Sequence, residues 1–346
     1  MAVLATRIAP ASPAAISEAA ALLAAGELVA FPTETVYGLG ADATNDRAVA
    51  KLYAAKERPS FNPLIAHVAD LASARRLARF DAEALKLAEV CWPGPLTLVL
   101  PKLHDCSVGQ LATAGLDTVA VRVPDHPIAR GILAAFGKPV VAPSANRSGC
   151  VSPTLAQHVH ADLAGRVALI IDDGPSPLGV ESTILARLGR MVLLRPGAIS
   201  RATVEGILGH DVASATIAPD NGRPVAPGML ASHYAPRSAL RMNAVTVAPG
   251  EALLAFGPTL PQDAGNARII LNLSDRGELV EAAANLFNYL RALDGSGVNS
   301  IAVVPVPNED LGEAINDRLR HAAAPRRPRD STAYSGLETL RSGITS

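Results

Sequence analysis

The sequence predicts a two-domain α/β protein, and three observations carry that reading. Helical and strand-like patterns alternate up to about residue 208. Several strand-like runs are apolar throughout, which suits a twisted sheet covered by helices on both faces. The stretch ATIAPDNGRPVAPGMLASHYAPRS then breaks the pattern with prolines and glycines, and a second, shorter α/β alternation follows it.

Taken in order, Ser12-Pro13 before AAISEAAALLAAG reads as an N-cap, a proline at the first helical position, an amphipathic helix and a terminal Gly26. A short strand follows at 28–31. Val49, Leu52 and Tyr53 have helical spacing, which predicts a helix over 46–56. Pro59 disfavours a helical Arg58, so Arg58 leaves the helix extended. Further strands are expected at 63–68, 96–100, 118–123, 139–142, 167–171 and 190–194, with helices at 81–90, 126–136 and 154–164. The second domain reads as strands 252–256, 268–271 and 300–304 with helices 276–293 and 309–321. The expected division is therefore 1–208 for the first domain, 209–237 for a linker or lid, 238–325 for the small domain and 326–346 for a tail.

Composition narrows the function. A net charge of −1 over 346 residues argues against coating nucleic acid by bulk charge, so any RNA contact must be local. Cys91, Cys106 and Cys150 are odd in number and widely spaced, with no zinc-site pattern, which suits a reducing compartment. No run approaches the roughly 20 apolar residues that span a bilayer, so the expected location is the cytoplasm, with no membrane partner.

Several familiar sites are missing. The chain has no G-x-x-x-x-G-K-[ST], no G-x-S-x-G and no H-E-x-x-H. Residues 38–43, GLGADA, match G-x-G-x-x-A, but no acidic residue ends a second strand about twenty positions later, so the dinucleotide reading is weak. What remains is a set of cations and hydroxyls at strand ends. FPTETVYGLG presents Thr33, Glu34 and Thr35 after a strand; KERPSFNPLIAH places Lys56 and Arg58 before a strand that ends in His67. In TVAVRVP, Val119 and Val121 share one face while Arg122 points the other way with Ala120. VVAPSANRSGCVSPT offers Ser144, Asn146 and Ser152, GVESTI offers Ser182, and LLRPG carries Arg195. Each has an ordinary reading: Arg122 as the partner of a structural carboxylate such as Glu181, His67 as a core histidine, Thr33 and Ser144 as turn residues. The joint pattern is harder to reduce. Lys56, Arg58, Arg122 and Arg195 stand at the ends of apolar strands, where burial is costly unless anions accompany them. A ligand with phosphates and a carboxylate meets that need, since arginine forks suit both groups.

These stretches, with WPGPLT at 92–97 and AGLDTVAVRVPDHP, resemble the Sua/YrdC/YwlC family of L-threonylcarbamoyladenylate synthases, in that family's order over about residues 15–200. The extension from PGMLASHYAP, with INDRLRHAA near 315, is similar to the two-domain form. The resemblance implies a twisted, concave YrdC-like sheet domain joined by a linker to a smaller Rossmann-like domain. It implies a nucleotidyl transfer in which L-threonine, bicarbonate or CO2, and ATP give threonylcarbamoyl-AMP and pyrophosphate. It further implies that tRNA threonylcarbamoyl transferase proteins use the product beside the anticodon, that Mg2+ accompanies ATP, and that any tRNA contact is weak. Carried over by residue, Thr33, His67, Arg122 and Ser182 hold threonine. Lys56, Arg58, Thr118, Ser144, Asn146, Ser152 and Arg195 surround ATP, and Tyr234 closes over it. No metal-ligating residue is assigned. The alternative is an RNA-binding translation-control module without catalysis, which the near-neutral charge and lack of interleaved aromatics disfavour. A hydrogenase-maturation type of carbamoyltransferase would need zinc-finger segments for which the three scattered cysteines do not suffice.

Overall fold

The computed structural model describes residues 5–214 and 234–325. Most of the expected lid, 215–233, and the expected tail, 326–346, lie outside the described residues.

The larger body is one mixed sheet. Its strands are β1 (Arg7–Pro10), β2 (Val29–Phe31), β3 (Gly38–Asp42), β4 (Ile65–His67), β5 (Leu96–Pro101), β6 (Thr118–Arg122), β7 (Val140–Val141), β8 (Leu169–Asp172), β9 (Thr183–Leu188) and β10 (Arg190–Arg195). They lie in the order β1-β8-β2-β3-β7-β4-β6-β5-β9-β10. Helices α1 (Pro13–Ala24), α2 (Asp46–Lys56), α3 (Leu71–Arg75), α4 (Ala82–Cys91), α5 (Pro127–Phe136), α6 (Ala156–Leu163) and α7 (Arg201–Leu208) connect them. Local chemistry sets the helix ends. The side chains of Ser12, Asn45, Asp70, Asp81 and Ser200 cap α1, α2, α3, α4 and α7. Helix α2 stops where Glu57 turns left-handed at φ 53°, which releases Arg58 from the helix.

β3 was not expected, because its sequence, GLGAD, reads as a glycine turn. The glycines instead make room inside a sheet: a Cβ on Gly40 would lie 2.7 Å from the Phe31 ring. Since Gly38 pairs antiparallel with Phe31, this motif is a strand and not a dinucleotide-binding turn.

Side chains alternate along the central strands as the pleat requires. Leu98, Val119, Val121, Ala66 and Leu185 join the main core on one face. Ile65, Val99, Ala120, Ile184, Ala186 and Val192 form a small apolar cluster on the other. That second face is the one on which His67 and Arg122 stand, each two residues along its strand from Ile65 or Ala120.

The smaller body is a four-stranded parallel sheet, β11 (Ala239–Arg241), β12 (Ala252–Ala255), β13 (Ile269–Asn272) and β14 (Ser300–Val303), in the order β11-β14-β12-β13. Its helices are α8 (Leu279–Gly295) and α9 (Leu311–Ala323). The two bodies pack tightly. The apolar core of the smaller one takes in Val36, Val151 and Val180 of the larger. A Cβ on Gly179 would meet the Ala283 carbonyl oxygen at 2.4 Å, so a side chain there would push the bodies apart. Arg291 pairs with Asp162 at 2.6 Å, and Arg201 with Glu313 at 2.6 Å.

Candidate functional site

Chain direction gathers the site. β4 and β6 run parallel with His67 opposite Arg122, so both strands end at the same place on the same face. β10 returns antiparallel to β9, bringing Arg195 back to Ile184 and to Ser182 just before it. The turn after β2 supplies Thr35, the chain after β7 supplies Ser144, and the chain after α2 supplies Arg58. Together with Glu181 and Tyr234 these residues line a cavity of about 50 Å3. A roomier groove of about 430 Å3 lies beside Asp70, Arg76 and Lys138, but none of the strand-end motifs lines it.

Of the three guanidinium groups at the cavity, Arg122 is the one with every nitrogen bonded among the described residues. Its Nη2 donates to Glu34 Oε1 at 2.6 Å, its Nη1 to Thr35 Oγ1 at 3.1 Å, and its Nε to the Gly94 carbonyl at 3.3 Å. The carboxylate partner is thus Glu34 and not Glu181. His67 beside it is buried, and burial together with the Arg122 charge lowers its pKa to about 3, so the imidazole is neutral. Its Nδ1 lies 3.2 Å from the Ile65 carbonyl oxygen.

Arg58 and Arg195 are bonded differently. Arg58 donates to the main-chain carbonyls of Asn62 and Pro63 at 3.4 and 3.1 Å. Arg195 donates to the Ser182 carbonyl at 2.9 Å and to the Ser182 hydroxyl at 3.2 Å. Neither makes an ion pair within 4 Å among the described residues. Burial lowers the Arg58 pKa to about 10, with the Arg195 charge adding to the effect, and burial lowers that of Arg195 too.

At the domain boundary, Glu181 accepts from Ser152 Oγ at 2.5 Å and from Arg318 Nε of α9 at 2.8 Å. Burial alone would raise the Glu181 pKa, but Arg318 and Arg195 outweigh it and bring it down to about 2. Arg318, wholly buried, also lies 5.3 Å from the Tyr234 ring centroid, and that ring stacks on Phe287 at 5.5 Å. Burial and the nearby Glu181 push the Tyr234 hydroxyl up to about 12.

Of the residues expected from the sequence, Arg58, His67, Arg122, Ser144, Ser182, Arg195 and Tyr234 line this one cavity. Five others do not line it. The Thr33 hydroxyl closes the turn, donating to the Val36 carbonyl at 2.6 Å and lying 2.8 Å from Thr35 Oγ1. Thr35, which shares the motif, is the threonine at the cavity. Lys56 was expected to face phosphates; its Nζ instead donates to the carbonyls of Ser144 and Asn146, both at 2.5 Å. Burial, then the Arg58 charge, lowers its pKa to about 7, and two donors are what a neutral amine also offers. Asn146 fastens the same loop by donating to the carbonyls of Arg147 and Cys150, both at 2.8 Å. Ser152 is spent on Glu181, and Thr118 sits at the opposite end of β6 from Arg122.

Asn62 and Arg318 were missed. Asn62 is fully buried, and both of its side-chain polar atoms lack a hydrogen-bond partner among the described residues, which is rare for buried polar groups. It stood in the quoted KERPSFNP run, where its spacing from Arg58 was the available signal. Arg318 lay in INDRLRHAA, 137 positions from its partner Glu181, with nothing local to mark it.

The chain is similar to known proteins over most of its length. Residues 21–197 match the Sua5, YciO and YrdC family model, described as "Telomere recombination". Residues 199–324 match one described as "Threonylcarbamoyl-AMP synthase, C-terminal domain". The chain is 43% identical over 324 residues to the threonylcarbamoyl-AMP synthase of Bacillus subtilis, covering 90% of this chain and 93% of the relative. It is 41% identical over 332 residues to that of Pyrococcus abyssi, covering 89% and 94%. The crystal structure of P. abyssi Sua5 complexed with L-threonine superposes with a TM-score of 0.81 at 37% identity, over 93% of this chain and 97% of that one.

Proposed function

The chain belongs to the Sua5/YciO/YrdC family, and from that premise we propose that it is a threonylcarbamoyl-AMP synthase. It joins L-threonine, bicarbonate or CO2, and ATP into threonylcarbamoyl-AMP and releases pyrophosphate. The observation that carries this reading is the meeting of three guanidinium groups, Arg58, Arg122 and Arg195, with hydroxyls in one cavity whose acid is Glu181. Such a wall suits anions held in fixed places.

In this reading threonine lies at the Arg122 end. Arg122 faces its carboxylate, and Thr35, neutral His67 and Ser182 surround it, with Thr33 holding Thr35 in place. ATP lies at the Arg58 and Arg195 end, beside Ser144 and Asn62 and under Tyr234. Lys56, Asn146 and Ser152 act by fixing the loop and the acid around it, and Thr118 would meet a more distant part of the nucleotide. Threonine's nitrogen is carboxylated, and an oxygen of the resulting carbamate attacks the α-phosphorus of ATP. Pyrophosphate then leaves while Arg58 and Arg195 offset the phosphate charge. Both the carbamate and the mixed anhydride are labile in water, so closure by Tyr234 and the smaller domain protects them.

Mg2+ would arrive on the ATP phosphates. The described residues contain no group of three His, Cys, Asp or Glu side chains to cage it unaided, and a Mg2+ bound mainly through phosphates needs none. None of the steps above is routed through it. The product then passes to tRNA threonylcarbamoyl transferase proteins, with at most a weak tRNA contact here. The reaction belongs in the cytoplasm, and no helix of the described residues is long and apolar enough to cross a membrane.

The test is pyrophosphate release by the purified protein, with threonine and bicarbonate each present or omitted. Release that needs both, with serine a poor substitute, is expected. Release indifferent to threonine would overturn the assignment and favour the RNA-binding alternative.

A further inference from the structure

Threonine is a zwitterion, so a site that meets its carboxylate with Arg122 must also meet its ammonium. Among the described residues Glu181 is the acid that lines the cavity, and both of its oxygens are taken, by Ser152 and by Arg318. The next acid is Glu34, held by its Oε1 against Arg122. Its other oxygen, Oε2, has no hydrogen-bond partner among the described residues and is sealed from solvent by them. An unpaired carboxylate oxygen in a dry interior is costly and in need of a donor. Glu34 stands one layer behind the lining: the next two residues of the chain, Thr35 and Val36, line the cavity, as does its partner Arg122.

Resting on the threonine site proposed above, we infer that Glu34 recognises the substrate's ammonium through Oε2 and takes from it the proton that must leave before the nitrogen can be carboxylated. The ammonium gives one proton to the Glu34 carboxylate and becomes an amine. The amine's lone pair then forms the N–C bond to the carbon of bicarbonate. A second proton leaves nitrogen with the departing hydroxide as water. One ammonium, one bicarbonate and one carboxylate thus yield one carbamate, one water and one carboxylic acid, and charge is conserved. Arg122 and Glu34 therefore act as a matched pair, one charge for each end of the amino acid.

The experiment compares threonine with its deaminated counterpart, the stereochemically matched 2,3-dihydroxybutanoate, by calorimetric titration of the full chain and of Glu34→Gln. Wild type is expected to bind threonine at least about 10-fold more tightly than the deaminated acid, which lacks the charge-assisted bond. Glu34→Gln should lose about 10- to 100-fold in threonine affinity while its affinity for the deaminated acid is unchanged. If both ligands weaken equally in the variant, Glu34 only positions Arg122 and the inference is overturned. If neither weakens, it is overturned as well. Should the variant fail to fold, the wild-type ratio decides, and equal affinity for the two ligands sinks the idea. Failure of wild type to bind threonine at all would instead overturn the site reading beneath it.

Discussion

The two ends of the cavity bury guanidinium groups by opposite means. At one end Arg122 sits 2.6 Å from a carboxylate, so its charge is balanced before any ligand arrives. At the other, Arg58 and Arg195 are held by carbonyl and hydroxyl oxygens and make no ion pair within 4 Å among the described residues, so Glu181 offsets the Arg195 charge only from a longer distance. Dipoles alone do not repay the desolvation of a buried cation. The lowered Arg58 pKa, about 10, is the signature of that debt. The balanced end suits a net-neutral amino acid, and the unbalanced end suits a polyanion.

This contrast can be broken most severely at the unbalanced end. Arg195→Ala should cost about 100- to 1,000-fold in turnover, as removal of a preorganised charge donor does. Pyrophosphate release at saturating threonine measures it, and a loss below tenfold would place the phosphates elsewhere. Next comes Arg318→Met, which strands the Glu181 carboxylate by removing its partner. Breaking such a buried pair costs about 3–5 kcal/mol, read in denaturant unfolding, and a change under 1 kcal/mol would mean that Glu181 finds another cation. Thr35→Val removes the bond that Arg122 donates to an uncharged hydroxyl and should raise the threonine KM about 3- to 10-fold, with ATP KM unmoved. Thr33→Val, one step further back, should shift stability more than KM.

A last effect is one of pH. In the native state Glu181 titrates near 2, against an ordinary value of 4.5. As pH falls below 4.5 the unfolded chain takes up this proton first, so the stability that Glu181 contributes is present above 4.5 and is lost toward pH 2. Glu181→Gln should therefore flatten that part of the acid unfolding curve. An unchanged slope would contradict the Arg318–Glu181 pairing.

Much of this site was legible because a strand's period is two. Once Val119 and Val121 were assigned to the core, Arg122 had to face the other way, and His67 followed by register with it. Partners were less legible. Arg122 was matched with Glu181 on paper, yet Glu34 holds it, because the choice depends on how a turn after β2 folds over the end of β6. Turns have no period, which is also why the sequence does not show which of Thr33 and Thr35 lines the cavity. Lys56 looked like a ligand cation from its place beside Arg58. Only the fold shows that the 144–146 loop offers it two carbonyls first. Arg318 is the extreme case: a residue of the smaller domain completes the boundary of a site built by the larger.

The most direct measurement is calorimetric titration of Arg58→Met with ATP and, separately, with threonine. Arg58 donates to the main-chain carbonyls of Asn62 and Pro63 and makes no hydrogen bond to Arg122 or its partners among the described residues, so its loss should leave the threonine end intact. ATP affinity is predicted to fall about 100-fold while threonine affinity stays within about threefold. Unchanged ATP binding, or an equal loss for both ligands, would contradict the division of the cavity into a balanced and an unbalanced end.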